Sequence, residues 1–227
     1  MSEKRLPDAA VKGGNKTFFS LDELITVTVG KEQTKHMIHE SILRQCPFFD
    51  KCLSSGMREE HEKSINLPDD DPTAIEVIIE WLYAKTIDRL QCGNHYIVAY
   101  VAADKYCMRE LQNSIIDKLC STPYGDVTPS FVSSVWNGTA EGSKLRELTL
   151  DFLHYCIVTR PELYKPSDGR YYKELQELMH DGDVAYVLMW RLADQRELDL
   201  EHPLLKKGCV YHVHEDGSAC ENGLETA

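Results

Sequence analysis

Residues 27–83 contain the stretch that decides the fold, and they read VTVGKEQTKHMIHESILRQCPFFDKCLSSGMREEHEKSINLPDDDPTAIEVIIEWLY. At its start, two runs rich in β-branched residues, Ile25 to Val29 and Thr34 to His39, are separated by four residues that begin with Gly30. In the first run, apolar residues alternate with threonines, which is typical of a strand with one buried face. The pattern predicts a β-hairpin that buries one of its sides.

Two short helices and a third strand are predicted after the hairpin. The segments on either side of Pro47 carry apolar residues at spacings of three and four, which indicates helices. Ser64 to Leu67 has the composition of a short strand, and a proline follows it directly. Asp71 then precedes Pro72, the arrangement of an N-cap residue and a first helical residue, at the start of a strongly apolar segment.

The rest of the chain shows helical patterns alone. Residues 96–107 form a second apolar segment, helical spacing continues over 108–121, and Pro123 ends it. Further helical patterns occur at residues 128–136, 143–158, 171–179 and 184–192. The sequence therefore predicts an α+β fold, a small β-sheet flanked by a helical bundle, followed by an all-helical extension.

Five short motifs occur in a fixed order across the first part of the chain. They are Val-x-Val-Gly at 27–30, His-Glu-Ser-Ile-Leu at 39–43, Cys-Pro-Phe-Phe at 46–49, Leu-Pro-Asp-Asp-Asp-Pro at 67–72 and Trp-Leu-Tyr at 81–83. Together they resemble the BTB/POZ domain, particularly that of the fungal single-BTB proteins, over roughly residues 21–122. The resemblance implies the BTB/POZ fold, a protein-interaction fold with no chemistry of its own.

This resemblance divides the chain into four parts. Residues 1–20 are polar, and we expect them to form a flexible N-terminal tail. Residues 21–122 are the expected BTB/POZ domain, and residues 123–205 are the helical extension, in which no internal repeat is visible. Residues 206–227 form a C-terminal tail that contains cysteines and histidines.

Composition and charge exclude several classes of protein. The chain has 227 residues, of which 42% are hydrophobic, enough to build a core. Its net charge of -12 disfavours nucleic acid and anionic membranes as partners. No apolar run reaches the ~20 residues that cross a bilayer, and no secretory signal precedes the eight cysteines. We therefore expect a soluble intracellular protein, cytoplasmic or nuclear, with reduced thiols.

The first candidate site lies between the second helix and the third strand. BTB proteins that recruit a cullin scaffold carry a hydrophobic-x-Glu element there, and this chain has Met57-Arg58-Glu59. The resemblance implies that Met57 is an apolar plug for a cullin groove and that Glu59 fixes the register by hydrogen bonding. It also implies that Phe49 and Leu53 complete an apolar rim around Met57. In the alternative interpretation, Met57 closes an acidic loop whose glutamates are solvated.

The second candidate site is in the C-terminal tail, where four residue types that bind zinc lie within twelve residues. They are Cys209, His212, His214 and Cys220. An extended segment would place both histidines on one side, and a turn at 215–217 would return Cys220 toward them. The spacing is not that of a standard zinc finger. A zinc site, a strand docked on the helical extension and an unstructured end therefore all remain open.

The sequence shows none of the common motifs of catalytic sites. It contains no Gly-rich phosphate loop, no Gly-x-Ser-x-Gly elbow and no His-Glu-x-x-His motif. His36 and His39 face opposite sides of one strand, and the resemblance makes His39 a core histidine held by backbone hydrogen bonds. We therefore expect that the protein is not an enzyme.

Three functions follow as hypotheses. The leading one is a protein-interaction module that serves as substrate adaptor of a cullin-RING ubiquitin ligase, with a cullin as partner. The second is a self-associating scaffold or transcriptional co-regulator, in which the chain forms a homodimer and binds no cullin. The third is a small regulator that binds zinc through its tail. None of the three involves nucleic acid or a membrane.

Overall fold

The computed structural model of the protein describes residues 22–54, 56, 58–90, 93–121, 127–194, 200–206 and 209–214. The N-terminal tail expected at residues 1–20 lies outside the described residues, as do Met57 and Cys220. Three strands and ten α-helices occur in the described parts of the chain.

The strands form one sheet whose order is β2-β1-β3. Their bounds are β1 Leu24–Val29, β2 Thr34–His39 and β3 Ser64–Leu67. β2 pairs antiparallel with β1, as the predicted hairpin requires, and Val27 lies opposite His36. β3 pairs parallel with the other edge of β1, where Val27 lies opposite Ile65. The central strand is therefore the first of the described strands.

One face of β1 is fully buried. Ile25, Val27 and Val29 all lie inside the core, which confirms the alternation read from the sequence. The strand ends at Val29, and Gly30 begins the turn with a φ of 69°, which is in the left-handed region that favours glycine. A Cβ at this position would lie 3.2 Å from the ring of Pro72, so the turn also packs against the start of the next long helix.

Three short helices connect β2 to β3. They are α1 Glu40–Leu43, α2 Pro47–Ser54 and α3 Arg58–Glu62. The alternative interpretation of the acidic stretch as a loop is wrong for α3. Arg58 and Glu62 form an ion pair at 2.6 Å, and this spacing of four residues supports a helical turn.

Three longer helices share one core with the sheet. They are α4 Pro72–Ala84, α5 Gly93–Lys105 and α6 Arg109–Ser121. α4 begins where the sequence predicts, because the Asp71 carboxylate accepts hydrogen bonds from the backbone N–H groups of Thr73 at 2.8 Å and Ala74 at 3.2 Å. The predicted continuation from residue 96 to residue 121 is broken at Cys107, which has a φ of 57°. The chain therefore turns between α5 and α6.

The extension is helical, as predicted. Its α-helices are α7 Pro129–Gly138, α8 Lys144–Thr159, α9 Tyr172–Leu178 and α10 Gly182–Ala193, and Pro161–Leu163 and Pro203–Leu205 form 3₁₀ turns. Thr128 caps α7 by accepting a hydrogen bond from the N–H of Phe131 at 3.2 Å. The Thr-Pro pair predicted this start.

Helix α8 joins two apolar clusters. Its residues Leu145 and Leu148 belong to the larger cluster, which contains the sheet and helices α4 to α6. Leu150 and Leu153 belong to the second cluster, which the helices of the extension form among themselves. This arrangement confirms the predicted α+β fold followed by a helical extension, and it shows that α8 packs in both parts.

Replacing the cap of α4 tests how the first long helix is held. We expect Asp71→Ala to lower the free energy of unfolding by about 1 kcal/mol, because two N–H groups of the first turn lose their acceptor. Urea unfolding followed by circular dichroism measures this loss. Asp69→Ala removes the same charge from an exposed turn position and serves as control. Equal losses in both variants would contradict a capping role for Asp71.

Candidate functional site

Helix α2 turns its apolar stripe toward the core. Phe49 is 1% exposed and Leu53 is 0% exposed, and the Phe49 ring packs 5.1 Å from that of Tyr106. The prediction that these two side chains form an exposed rim beside Met57 is therefore wrong. Their helical spacing identifies a stripe, but it does not distinguish a stripe that faces the core from one that faces a partner.

Phe48 is the aromatic residue that α2 leaves on its outer side. It is 37% exposed, and its ring centroid lies 4.9 Å from that of Tyr106 and 5.3 Å from that of Phe49. Adjacent residues on a helix point about 100° apart, so burial of Phe49 directs Phe48 elsewhere. Phe48 was not among the predicted site residues, although the Phe-Phe pair indicates an outward aromatic side chain once Phe49 is known to face the core.

Helix α3 places three glutamates next to α2, and two of them are engaged within the domain. Glu60 accepts a hydrogen bond from the N–H of Gly56 at 2.7 Å, and Glu62 pairs with Arg58. Glu59 is half-buried and forms no hydrogen bond or ion pair with another described residue. Its carboxylate is therefore the one of the three that the described structure leaves available.

An ion network holds both ends of the connection from β2 to β3. The Arg44 guanidinium contacts Glu40 at 2.7 Å, Asp50 at 2.8 Å and the backbone carbonyl of Leu53 at 2.9 Å. Lys63, just before β3, contacts the same Glu40 at 2.8 Å. The hydrogen bond from Lys63 lowers the pKa of the Glu40 carboxyl below its ordinary value. These contacts fix α2 and the start of β3 relative to α1.

The C-terminal segment brings three of the four predicted metal ligands together. The ligand atoms of Cys209, His212 and His214 all lie within 4.8 Å of one another. A turn produces this arrangement, in which the N–H of His212 donates to the carbonyl oxygen of Cys209 at 3.2 Å. The alternative of a docked strand is wrong for residues 209–214. The turn predicted at 215–217 and Cys220 lie outside the described residues.

Residues 209–214 dock on α6. Asn113 binds both backbone groups of Val213, because its Oδ1 accepts from the N–H at 2.7 Å and its Nδ2 donates to the carbonyl at 3.1 Å. One turn further along α6, an Asp117 oxygen lies 2.8 Å from Nε2 of His212. Neither Asn113 nor Asp117 was predicted from the sequence, since they are 100 and 95 residues away from their partners in the chain.

The same segment also contacts α8. The Tyr211 hydroxyl donates to Asp151 at 2.7 Å, and burial raises the pKa of this tyrosine. Asp151 additionally pairs with Lys206 at 2.5 Å and with Arg191 of α10. Asp151 is therefore the point at which the C-terminal segment, α8 and α10 meet.

The histidines of β2 do not form a site together. His39 is half-buried at the end of the strand, and its Nδ1 lies 2.7 Å from the Tyr83 hydroxyl, which also accepts from its N–H at 3.1 Å. The expectation of a core histidine is therefore wrong, because a tyrosine at the end of α4 holds it near the surface. His36 lies on the opposite side of the strand, as predicted.

A comparison with protein families matches the first part of the chain. Residues 15–123 fit the family model of the BTB/POZ domain. The chain carries a BTB/POZ domain. Mouse Kelch-like protein 41 is 30% identical to it over 95 residues, which are 41% of this chain and 12% of that protein. This chain thus matches only a small part of its relative's length.

Both candidate sites involve the BTB/POZ domain, which is a protein-interaction domain. Helices α2 and α3 belong to the matched region, and the C-terminal segment docks on α6, the last helix within it. None of the described helices is long and apolar enough to cross a membrane.

Docking of the C-terminal segment on the BTB/POZ domain depends on Asn113. We expect Asn113→Ala to speed amide hydrogen exchange across residues 209–214 by roughly tenfold, because two hydrogen bonds to Val213 are lost. Hydrogen-exchange mass spectrometry measures this change. Asn137→Ala on the exposed side of α7 is the matched control and should leave the segment unchanged. Unaltered exchange in Asn113→Ala would show that other contacts suffice to hold the segment.

Proposed function

We propose that the protein is a substrate adaptor that binds a cullin, the scaffold of a cullin-RING ubiquitin ligase. Binding takes place on the α2–α3 surface, which we define as Phe48, Met57 and Glu59. The carboxylate of Glu59 carries the proposal, because it is half-buried and forms no hydrogen bond or ion pair with a described residue. A carboxylate presented in this way accepts hydrogen bonds from a partner and fixes the register of the complex.

Apolar contact on the α2–α3 surface comes from Phe48 and Met57. Phe48 takes the place that the sequence analysis gave to Phe49 and Leu53, because it is the exposed aromatic side chain of α2. Met57 stands two residues before Glu59 and serves as the apolar anchor in this proposal. An apolar anchor next to a charged hydrogen-bonding group is the usual composition of an interface hot spot.

An adaptor also needs a surface for its client. Helix α10 leaves Tyr186, Met189 and Trp190 more than half exposed, and the Tyr186 and Trp190 rings lie 6.2 Å apart. Exposed apolar side chains in such a group are typical of protein interaction sites. We therefore assign the client surface to α10, which places the cullin and the client on different parts of the chain.

Self-association is the second candidate function, and the outer face of the sheet favours it. Met37 lies opposite Thr26, and Leu24 is two residues before Thr26 on the same side of β1. Both Met37 and Leu24 are exposed. A second copy that covers this face would bury both side chains, so a scaffold without cullin would use the sheet in place of α2 and α3.

The α2–α3 surface can be tested with a double variant. We expect Met57→Ala combined with Glu59→Ala to weaken binding to a purified cullin by roughly tenfold or more, because both the anchor and the register contact are lost. Surface plasmon resonance against a panel of cullins measures this change. Glu62→Ala removes a charge from the same helix, and we expect its affinity to stay within about twofold of the wild type, because its exposed ion pair contributes little.

Two results would contradict the adaptor proposal. The first is a wild-type protein that binds no cullin in the panel, and the second is a double variant that binds as tightly as the wild type. Light scattering on the same samples identifies the alternative. A stable dimer without cullin binding, converted to a monomer by Met37→Ser, would support the scaffold instead.

A further inference from the structure

We propose that Cys209, His212 and His214 bind one zinc ion that fastens the C-terminal segment to the BTB/POZ domain. The α2–α3 surface has no part in this site, so the inference is independent of the adaptor function. It concerns residues 209–214, which cross the junction between α6 and α8.

The three ligand atoms are already close to the spacing that zinc requires. Zinc bonds of about 2.0–2.3 Å to nitrogen and sulfur in a tetrahedral site imply ligand atoms roughly 3.3–3.8 Å apart. The observed atoms lie within 4.8 Å of one another, so a bound ion would draw them together by at most about 1–1.5 Å. One thiolate and two imidazoles are ligands that suit zinc better than the oxygen-seeking cations calcium and magnesium.

His214 provides a second observation that points to a ligand. Its Nε2 atom is buried and has no hydrogen-bond partner among the described residues. A buried polar nitrogen without a partner is costly, and native structures rarely keep one without a reason. A zinc ion bonded to this nitrogen would supply the missing partner.

His212 shows the outer contact that metal-bound histidines usually have. Asp117 lies 2.8 Å from its Nε2, and its side chain is therefore held by a carboxylate on one ring nitrogen. This arrangement orients the ring and favours metal binding through the other nitrogen, Nδ1. Because Asp117 belongs to α6, the contact also connects the zinc site to the BTB/POZ domain.

Zinc takes four ligands, and water can fill the position that the three side chains leave open. A cavity of about 520 Å³ lies between α5 and the residues before α8, and His212 and His214 line it.

Metal content and cobalt substitution test the proposal. We expect elemental analysis of the full-length protein, purified without chelator, to find one zinc per chain. Replacement by Co²⁺ should produce the absorption of a tetrahedral cobalt site with a thiolate charge-transfer band. Cys209→Ser should lose the zinc and the charge-transfer band. Cys107→Ser removes an exposed cysteine outside the site and should keep both.

Two further variants distinguish a metal site from a merely structural cluster. His214→Gln should lose zinc while it retains the far-ultraviolet circular dichroism of the wild type, and His180→Gln at an exposed position should keep it. A chelator should lower the melting temperature of the wild type and leave that of His214→Gln unchanged. A wild type without zinc and without a cobalt spectrum would overturn the proposal. Zinc retained by both Cys209→Ser and His214→Gln would overturn it as well.

None of these measurements involves a cullin, so failure here is distinguishable from failure of the adaptor proposal.

Discussion

The position of β1 between its two partners is the constraint on which the rest of the structure depends. β2 and β3 lie at opposite edges of β1, so the chain that leaves β2 must cross the sheet before it can form β3. That crossing consists of α1, α2 and α3. α2 buries Phe49 and Leu53 in the shared core, whereas α3 buries none of its residues. On this connection Phe48 remains partly exposed and Glu59 half-buried.

The extension and the C-terminal segment are attached through α8. This helix contributes to both apolar clusters, so the extension cannot move away from the BTB/POZ domain without exposing core residues. Asp151 on α8 faces Arg191 and Lys206, and burial lowers the pKa of both cations. Buried charges of this kind are costly unless they stay paired. The network therefore favours one arrangement of α10 and the segment that follows it.

Much of the fold could be predicted because its signals are local. Asp71-Pro72 and Thr128-Pro129 mark helix starts within two residues, and the alternation in β1 marks its inner face. The outward side of α2 could not be predicted in this way, because Phe48 and Phe49 are both large and aromatic. Contacts such as that of Asn113 with Val213 could not be predicted from local sequence either, since they join residues 100 positions apart. The sequence named three candidate ligands that the fold brings together, but not Asp117, which lies 2.8 Å from one of them.

The most direct test of the account is hydrogen-exchange mass spectrometry of the full-length chain with and without a bound cullin. We expect the slowing of exchange on binding to be concentrated in peptides that cover residues 47–62, the span of α2 and α3. Peptides of the sheet and of α10 should change little. Protection confined to β1 and β2, with unaltered exchange over residues 47–62, would contradict the assignment of the interaction surface.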